Sequence, residues 1–505
     1  MQKQNIRMIV SLLFVVSGIA GLIYQIVWFK YLSLFLGNTT YAQMTVLATF
    51  LGGLAFGNYL FGKRSDSITN PVRIYSLLEL FIGVYCLLYP TINSLVRNLF
   101  LSTASNLDLI SKPFLFTGSR FLVAAILLFL PATAMGGTLP VLSNFFVERI
   151  QDARKEIASL YFLNSFGAVV GVVFAGFVLI KEFGLDVTIY STAFLNIFAG
   201  LVGFYLSRKQ NKLLERELVS AEDTNHKDFF EVDKQTVKRV ILVAGISGMA
   251  ALLYEMVWVR LLINFFGSST YAFSIMLMAF IGGITLGSLV ISKNVLKKYN
   301  YVKLLTFLQC AIAFSTLFVL LFYERLPYLL WKVSALFSKS KESFELFLAV
   351  EFIICFCLML LPTLFMGMSL PVASEIVSAS YKKIGVSVGR VFSVNTLGTV
   401  VGVVLTGLVF IPLFGIKITF EIGIALNLFG AFLLLSKYKF FSTKEKVLLY
   451  SISAIAFCSY LIFFPKWNEK VLLSGVFRSF GVPPPSSFDE FAKGFTDEEI
   501  IFYKE

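Results

Sequence analysis

The chain has 505 residues, of which 57% are hydrophobic and only 14% are charged, whereas soluble domains carry about 25% charged residues. This composition excludes an ordinary soluble protein and indicates several membrane-spanning helices. The net charge of +13 belongs first to cytoplasmic loops of such a protein, so we expect no nucleic-acid partner.

Apolar runs long enough to cross a bilayer recur along the whole chain. A polar linker separates two groups of six runs, and one further run and a tail follow. The first group comprises 8–29, 40–62, 72–90, 114–146, 157–180 and 187–206. The second group comprises 238–259, 270–292, 302–323, 344–372, 385–411 and 417–436, and the thirteenth run is 447–465.

The two groups are copies of one another. A shift of 230 residues aligns 17–57 with 247–287, with 18 identities in 41 positions, including Tyr24/Tyr254 and Trp28/Trp258. A shift of 231 aligns the remaining motifs, in which paired prolines interrupt the fourth run of each copy. We therefore expect a kink or a re-entrant end in both fourth runs.

An even number of helices per copy inserts both copies the same way round, which is the parallel repeat of the major facilitator superfamily. The segment 62–66 (GKRSD) also resembles that superfamily's basic loop between its second and third helices. Since 27 of the 43 Lys and Arg residues fall on the side of the N-terminus, we expect a multi-pass protein of the cell (inner) membrane with a cytoplasmic N-terminus and linker. An odd helix count places the tail outside.

The fold prediction is therefore an all-α polytopic bundle of two parallel six-helix repeats, with a thirteenth helix and a short C-terminal tail. The predicted units are the first repeat 1–206, the cytoplasmic linker 207–236, the second repeat 237–436, the additional helix 437–465 and the tail 466–505.

The motifs Tyr254-Glu-x-Val-Trp-x-Arg and Gly267-Ser-Ser-Thr-Tyr-Ala, together with Asn395-x2-Gly398, resemble the membrane domain of fused spermidine-synthase-like proteins. The segments 474–478 and 501–505 resemble the lead-in to that family's synthase domain. The resemblance implies an aminopropyltransferase-like or methyltransferase-like domain after the membrane part. This chain shows no Gly-rich nucleotide loop after a strand, so we expect no cofactor and no catalysis by the chain alone.

Ionisable groups inside a bilayer cost about 2.5–3.5 kcal/mol each on insertion scales, so each calls for a partner or a use. The copies exchange charges at two aligned positions: Gln25 aligns with Glu255, and Glu79 aligns with Gln309. Helix rise places Glu255 in the outer half of the bilayer and Glu79 roughly 10 Å deep. These side chains are candidates for binding a cation, coupling to protons or recognising an amine, and interhelical glue is the structural alternative.

Further candidates come from aligned polar and aromatic pairs. Arg120 aligns with Glu351, and we expect the two to approach each other across the interface between copies. The resembled family usually has arginine at this site, so Glu351 is a departure from it. Asn164 and Asn395 are expected to cap broken backbone or to line a cavity. For Tyr24, Tyr254 and the neighbouring tryptophans, an interfacial aromatic belt and an aromatic box for a cation both remain open.

Three functions fit these features. The first is a transporter-like bundle for a polyamine or another small cation. The second is a membrane anchor or scaffold for a separate or missing synthase-like domain, and the third is part of an enzyme acting on a membrane-embedded substrate. The candidate partners are the lipid bilayer, a polyamine-like small molecule, a separate synthase-like domain and a second copy of the chain.

Overall fold

The structure is a computed structural model, and all regular structure in the part of the chain that it describes is helical. The described residues are 2–36, 40–106, 111–148, 152–217, 232–266, 270–293, 299–337, 340–381, 383–436, 441–463, 467–472, 474–475 and 483–494. The predicted lead-in segments 476–478 and 501–505, and residues 218–231 of the predicted linker, lie outside these ranges.

Six long helices form the first half of the bundle. They are α1 (Gln2–Leu36), α2 (Thr40–Ser65), α3 (Pro71–Asn106), α4 (Pro113–Phe146), α5 (Ala153–Val173) and α6 (Ile180–Glu217). The predicted linker therefore begins as helix, because α6 continues to Glu217.

The second half repeats this order and adds short elements. Its helices are α7 (Lys234–Phe266), α8 (Thr270–Ser292), α9 (Tyr301–Leu320), the short α10 (Leu326–Ser334), α11 (Lys341–Tyr381), α12 (Ile384–Leu405) and α13 (Ile411–Leu435). The chain continues through α14 (Thr443–Phe463), α15 (Glu469–Leu472) and α16 (Phe488–Gly494).

Among the described residues, eleven helical segments are long and apolar enough to span a membrane. Two of them, Ala153–Lys209 and Ile384–Leu435, are 57 and 52 residues long, far more than the roughly 20 residues that one crossing needs. Each contains a π-helical stretch and then a glycine with a φ of 75°, Gly184 and Gly415, which are aligned positions in the repeat. Each segment therefore makes two passes that meet at its glycine. Glycine suits this position because it adopts a positive φ without a steric cost.

The fourth helices differ from expectation. Both α4 and α11 run without interruption through their paired prolines, Pro131 and Pro140 in α4 and their counterparts in α11. The prediction of a re-entrant end is wrong. The non-helical backbone in this part of each copy lies instead at the two glycines named above, where no side chain opposes a positive φ.

Small residues set the spacing between neighbouring helices. A Cβ on Gly57 of α2 would lie 2.0 Å from the carbonyl oxygen of Thr133 in α4, and the aligned Gly287 of α8 meets a carbonyl of α11 in the same way. Glycine at these positions lets the backbones approach closely. The α2–α4 and α8–α11 contacts are thus the same packing unit used twice.

The two halves meet through α2 against α12 and α5 against α8. These contacts leave a space between the halves that is bordered by helices of both. We call the face at which α1 and α7 begin the N-terminal face.

Helix α14 runs from the N-terminal face to the opposite face, where the tail lies. Near its start, Glu445 pairs with Lys303 of α9 at 2.9 Å, and near its end the Tyr460 ring lies 5.4 Å from the Lys417 ammonium of α13. The tail continues from there, with the Trp467 ring 5.7 Å from that of Tyr323, which follows the end of α9. Helix α16 then packs on α10.

Candidate functional site

A cavity of about 270 Å³ lies between the two halves. Helices α1, α2 and α5 line it from the first half, and α7, α8, α9, α11 and α12 line it from the second. Leucine is the commonest residue of its wall, and Ser, Thr, Asn and Gln side chains line it as well. An apolar wall that also carries polar groups is usual for a small-molecule site. Among the described residues that line it, Glu255 is the one charged side chain.

Glu255 and its aligned counterpart Gln25 both line this cavity. They also border a smaller pocket of about 20 Å³ on the side away from the N-terminal face. Within the described part of the chain, neither side chain has a hydrogen-bond or ion-pair partner. Both are therefore placed to contact a solute.

A second group of polar side chains lines the cavity nearer the N-terminal face. Asn164 and Asn395 are here, as is the Tyr161 side chain. The Asn395 amide donates to the Ala244 carbonyl oxygen at 2.8 Å, across the α12–α7 contact. Neither the Asn164 amide nor the Tyr161 hydroxyl has a hydrogen-bond partner among the described residues, so both can accept one from a ligand.

Glu79 does not line the cavity. Its carboxylate is fully buried between α1, α3 and α6, where the Ser17 hydroxyl donates to it at 2.6 Å and the Asn196 amide donates to its other oxygen. Asn196 in turn accepts a hydrogen bond from the Tyr24 hydroxyl at 2.9 Å. This chain of hydrogen bonds joins three helices within the first half.

The second half carries the same chain with glutamine in place of glutamate. The Tyr254 hydroxyl donates to Asn427 at 3.0 Å, and Asn427 donates to the Gln309 oxygen at 2.9 Å. The Gln309 amide nitrogen lies 3.4 Å from the hydroxyls of Ser247 and Ser369. Gln309 also lines the cavity, so the second network reaches the site and the first does not.

The aromatic-belt prediction is wrong for all four residues. Tyr24, Trp28, Tyr254 and Trp258 have no exposed surface and lie inside their halves. None of them lines the cavity in the described structure, so they form no aromatic box there either. The Tyr24 and Trp28 rings stack on α1, the Tyr254 and Trp258 rings meet at a tilt on α7, and all four are buried between helices.

Arg120 and Glu351 do not meet. The Arg120 guanidinium lies 4.1 Å from the centre of the Phe116 ring on its own helix, and Glu351 is buried on α11. No ion pair joins them in the described structure, and neither lines the cavity. Their expected approach is therefore wrong: α4 and α11 pack mainly against α2 and α8 of their own halves and not against each other.

An ion pair that the sequence did not reveal joins the halves at the N-terminal face. Arg154 of α5 and Glu375 of α11 lie 3.1 Å apart, with side chains only 3% and 5% exposed. The Tyr301 ring of α9 lies 4.8 Å from the guanidinium. Both charges fall near helix ends and are not aligned in the repeat, so in the sequence they resemble ordinary loop charges.

Asp66, within the predicted basic loop, makes a second contact between the halves on this face. Its carboxylate accepts hydrogen bonds from the backbone nitrogens of Gly385 and Val386 at 3.2 and 3.1 Å. The first backbone N–H groups of α12 have no acceptor within the helix, and a negative charge is favourable at a helix start. On the other side of the cavity, the Phe29 and Phe273 rings of α1 and α8 stack at 6.1 Å. The halves thus touch on both sides of the site.

The Asp233 carboxylate caps the start of α7 outside the spanning segment. It accepts hydrogen bonds from the backbone nitrogens of Gln235 and Thr236 and from the Thr236 hydroxyl. The Thr236 hydrogen bonds hold the pKa of this carboxyl below its usual range. No group of three or more His, Cys, Asp or Glu side chains in the described structure is placed to hold a metal ion.

Solved structures of transporters share this architecture. The human organic anion transporter MFSD10 (TETRAN) aligns over 86% of this chain and 99% of its own, with 13% identity and a TM-score of 0.55. The nucleoside transporter NupG aligns over 86% of this chain and 100% of its own, with 15% identity and a TM-score of 0.50. A variant of NupG gives 14% identity and a TM-score of 0.51.

The chain therefore shares the fold of these transporters, and the predicted polytopic helical bundle is confirmed. No protein-family model and no curated protein sequence matches the chain. The synthase-like fusion thus stays a prediction from the motifs. Sequence identities as low as these show a shared fold and nothing about the solute.

Proposed function

We propose that this chain moves a small organic cation across a membrane by alternating access, with Glu255 as the ligand of the positive charge. One observation carries the proposal: in the cavity between two pseudo-symmetric halves lies a carboxylate that has no partner among the described residues. Transporters built from such repeats bind their solutes at this place and rock the halves around it.

A carboxylate without a partner inside a membrane is costly, and a cationic solute would supply the missing charge. Contacts between the halves on both sides of the cavity fit the same scheme. The Arg154–Glu375 pair joins the halves on one side, and the Phe29–Phe273 stack joins them on the other. Opening to either face requires one of these contacts to separate while the other holds.

Polyamines are the substrates suggested by the resemblance to spermidine-synthase-like proteins, and other small amines fit the same carboxylate. The scaffold hypothesis, by contrast, requires no solute. The two are separated by uptake of labelled spermidine and aminohexanol into proteoliposomes that contain the purified full chain.

We expect saturable uptake of at least one of these cations and its loss in Glu255→Gln. A hydrogen bond to a charged group contributes about 1.5–3 kcal/mol, which is roughly a ten- to hundredfold change in affinity. Glu79→Gln is the matched control, because it removes a carboxylate outside the cavity. Absence of uptake for both cations, or uptake equal in Glu255→Gln and wild type, refutes the proposal.

We further propose that the protein lies in the cell membrane with its N-terminal face in the cytoplasm and its tail outside. The excess of Lys and Arg on that side supports this orientation. A cysteine introduced at Ser487, before α16, should react with a membrane-impermeant thiol reagent added to intact cells. Labelling only after the membrane is opened contradicts the orientation.

A further inference from the structure

Resting on the transport function proposed above, we propose that the cavity selects solutes with one positive charge and an uncharged hydrogen-bonding end. It discriminates against diamines and polyamines. This is a narrower substrate class than the sequence resemblance suggests, and it follows from where the structure places the carboxylates.

The first argument concerns charge. Two intramembrane carboxylates that could have formed a dication site, Glu79 and Glu351, are both outside the cavity. Glu79 is occupied by Ser17 and Asn196 within the first half. Of the described lining residues, Glu255 alone carries a charge, so one ammonium group can be neutralised and a second cannot.

The second argument concerns the length of the site. The Asn395 amide contacts Ala244, and the Asn395 carbonyl oxygen lies against Gly248, so Asn395 is level with 244–248 of α7. Glu255 follows these residues by 7 to 11 positions, which corresponds to roughly 10–16 Å along a helix. The repeat places Asn164 level with Gly18 of α1 in the same way. The charged end and the amide end of the site are therefore well separated.

The third argument concerns the side chains between the charged end and the amide end of the site, and those at the amide end itself. Leucines of α2, α7 and α8, among them Leu51, Leu252 and Leu277, line the cavity with Glu255 and suit a methylene chain. At the far end, Asn164 and Tyr161 offer neutral donors and acceptors, which fit a hydroxyl or an amide. An ammonium there would lose its water and gain only neutral dipoles, and burying an uncompensated charge is unfavourable.

The test compares two probes of equal length, aminohexanol and hexanediamine, by calorimetric binding to the purified full chain and by competition for uptake. We expect aminohexanol to bind at least tenfold more tightly. Equal affinity, or tighter binding of the diamine, overturns the inference but leaves cation transport intact. If neither probe binds and spermidine also fails, the proposed function itself is refuted.

The repeat supplies a matched pair of variants. Asn164→Asp adds a carboxylate at the amide end, whereas Gln25→Glu adds one beside Glu255. We expect Asn164→Asp to raise the affinity for hexanediamine relative to aminohexanol by tenfold or more, and Gln25→Glu to leave this ratio within about threefold. A similar change of ratio in both variants shows that total charge and not its position decides selectivity, which overturns the inference.

Discussion

Replacing Glu79 by glutamine should leave both the fold and cation binding largely intact, although Glu79 is a fully buried carboxylate. The second half of the protein already contains this substitution. There Gln309 accepts a hydrogen bond from Asn427 with its oxygen and faces the Ser247 hydroxyl with its nitrogen. Glutamine at position 79 can make the same two contacts with Asn196 and Ser17.

The expected magnitude follows from those contacts. The substitution replaces two hydrogen bonds to a carboxylate, at about 1.5–3 kcal/mol each when charged, by two neutral ones at about 0.5–1.5 kcal/mol. It also removes the cost of burying a carboxylate, so the net change should stay within about 1 kcal/mol. Glu79→Leu differs, because it leaves the Ser17 hydroxyl and the Asn196 amide without an acceptor. At about 1–3 kcal/mol for each unsatisfied group, it should cost roughly 2–6 kcal/mol.

Unfolding in mixed detergent–SDS micelles measures the stability, and calorimetric titration with aminohexanol measures binding on the same samples. Glu255→Gln should show the opposite profile, with stability unchanged or raised and binding lost. The reasoning fails if Glu79→Gln unfolds like wild type yet no longer binds, because Glu79 would then act on the solute and not on helix packing.

Three further predictions concern helix packing, the ion pair between the halves and the pH dependence of stability. Gly57→Ala should destabilise by about 1–3 kcal/mol because its Cβ meets a carbonyl oxygen, whereas Gly52→Ala, in the same helix with open space, should lose nothing; unfolding measures both. Glu375→Leu should cost about 3–5 kcal/mol by removing the carboxylate that pairs with buried Arg154, and adding Arg154→Met should restore most of this loss in a double-mutant cycle. Because the pKa of Asp233 is lowered on folding, its stabilisation is present at neutral pH and lost on acidification below about pH 4; Asp233→Asn should flatten this part of the stability–pH curve.

The sequence predicted the architecture because a duplication is visible without any structure. Glycine, proline, tryptophan and asparagine recur in register, and each has a backbone or packing reason to persist. The aligned Gly184 and Gly415 illustrate the limit: they lie between adjacent apolar runs, but only the backbone angles show that two passes meet there. The prolines were a weaker guide, since a long apolar helix accommodates them without breaking.

The site was predicted in part. Helix rise gives the depth of a residue in the bilayer but not the direction in which its side chain points. The membrane surface was therefore one of the two places left open for Tyr24 and Trp258, yet they face the interior of their own halves. The same ambiguity hid the difference between Glu79 and Glu255, both of which are lone carboxylates in apolar helices. Alignment within the repeat also misled for Arg120 and Glu351, because aligned residues need not be neighbours.

The two exchanges of glutamine and glutamate between the copies therefore have different consequences. At Glu79 and Gln309 the exchange occurs within a hydrogen-bond network that tolerates either residue, so it changes little. At Gln25 and Glu255 it occurs in the cavity, where two glutamates would have placed both carboxylates at the same end of the site. A single glutamate makes the site asymmetric and gives a solute with one charged end a single preferred orientation. The proposed selectivity for such a solute would thus follow from the divergence of the two copies at this one position.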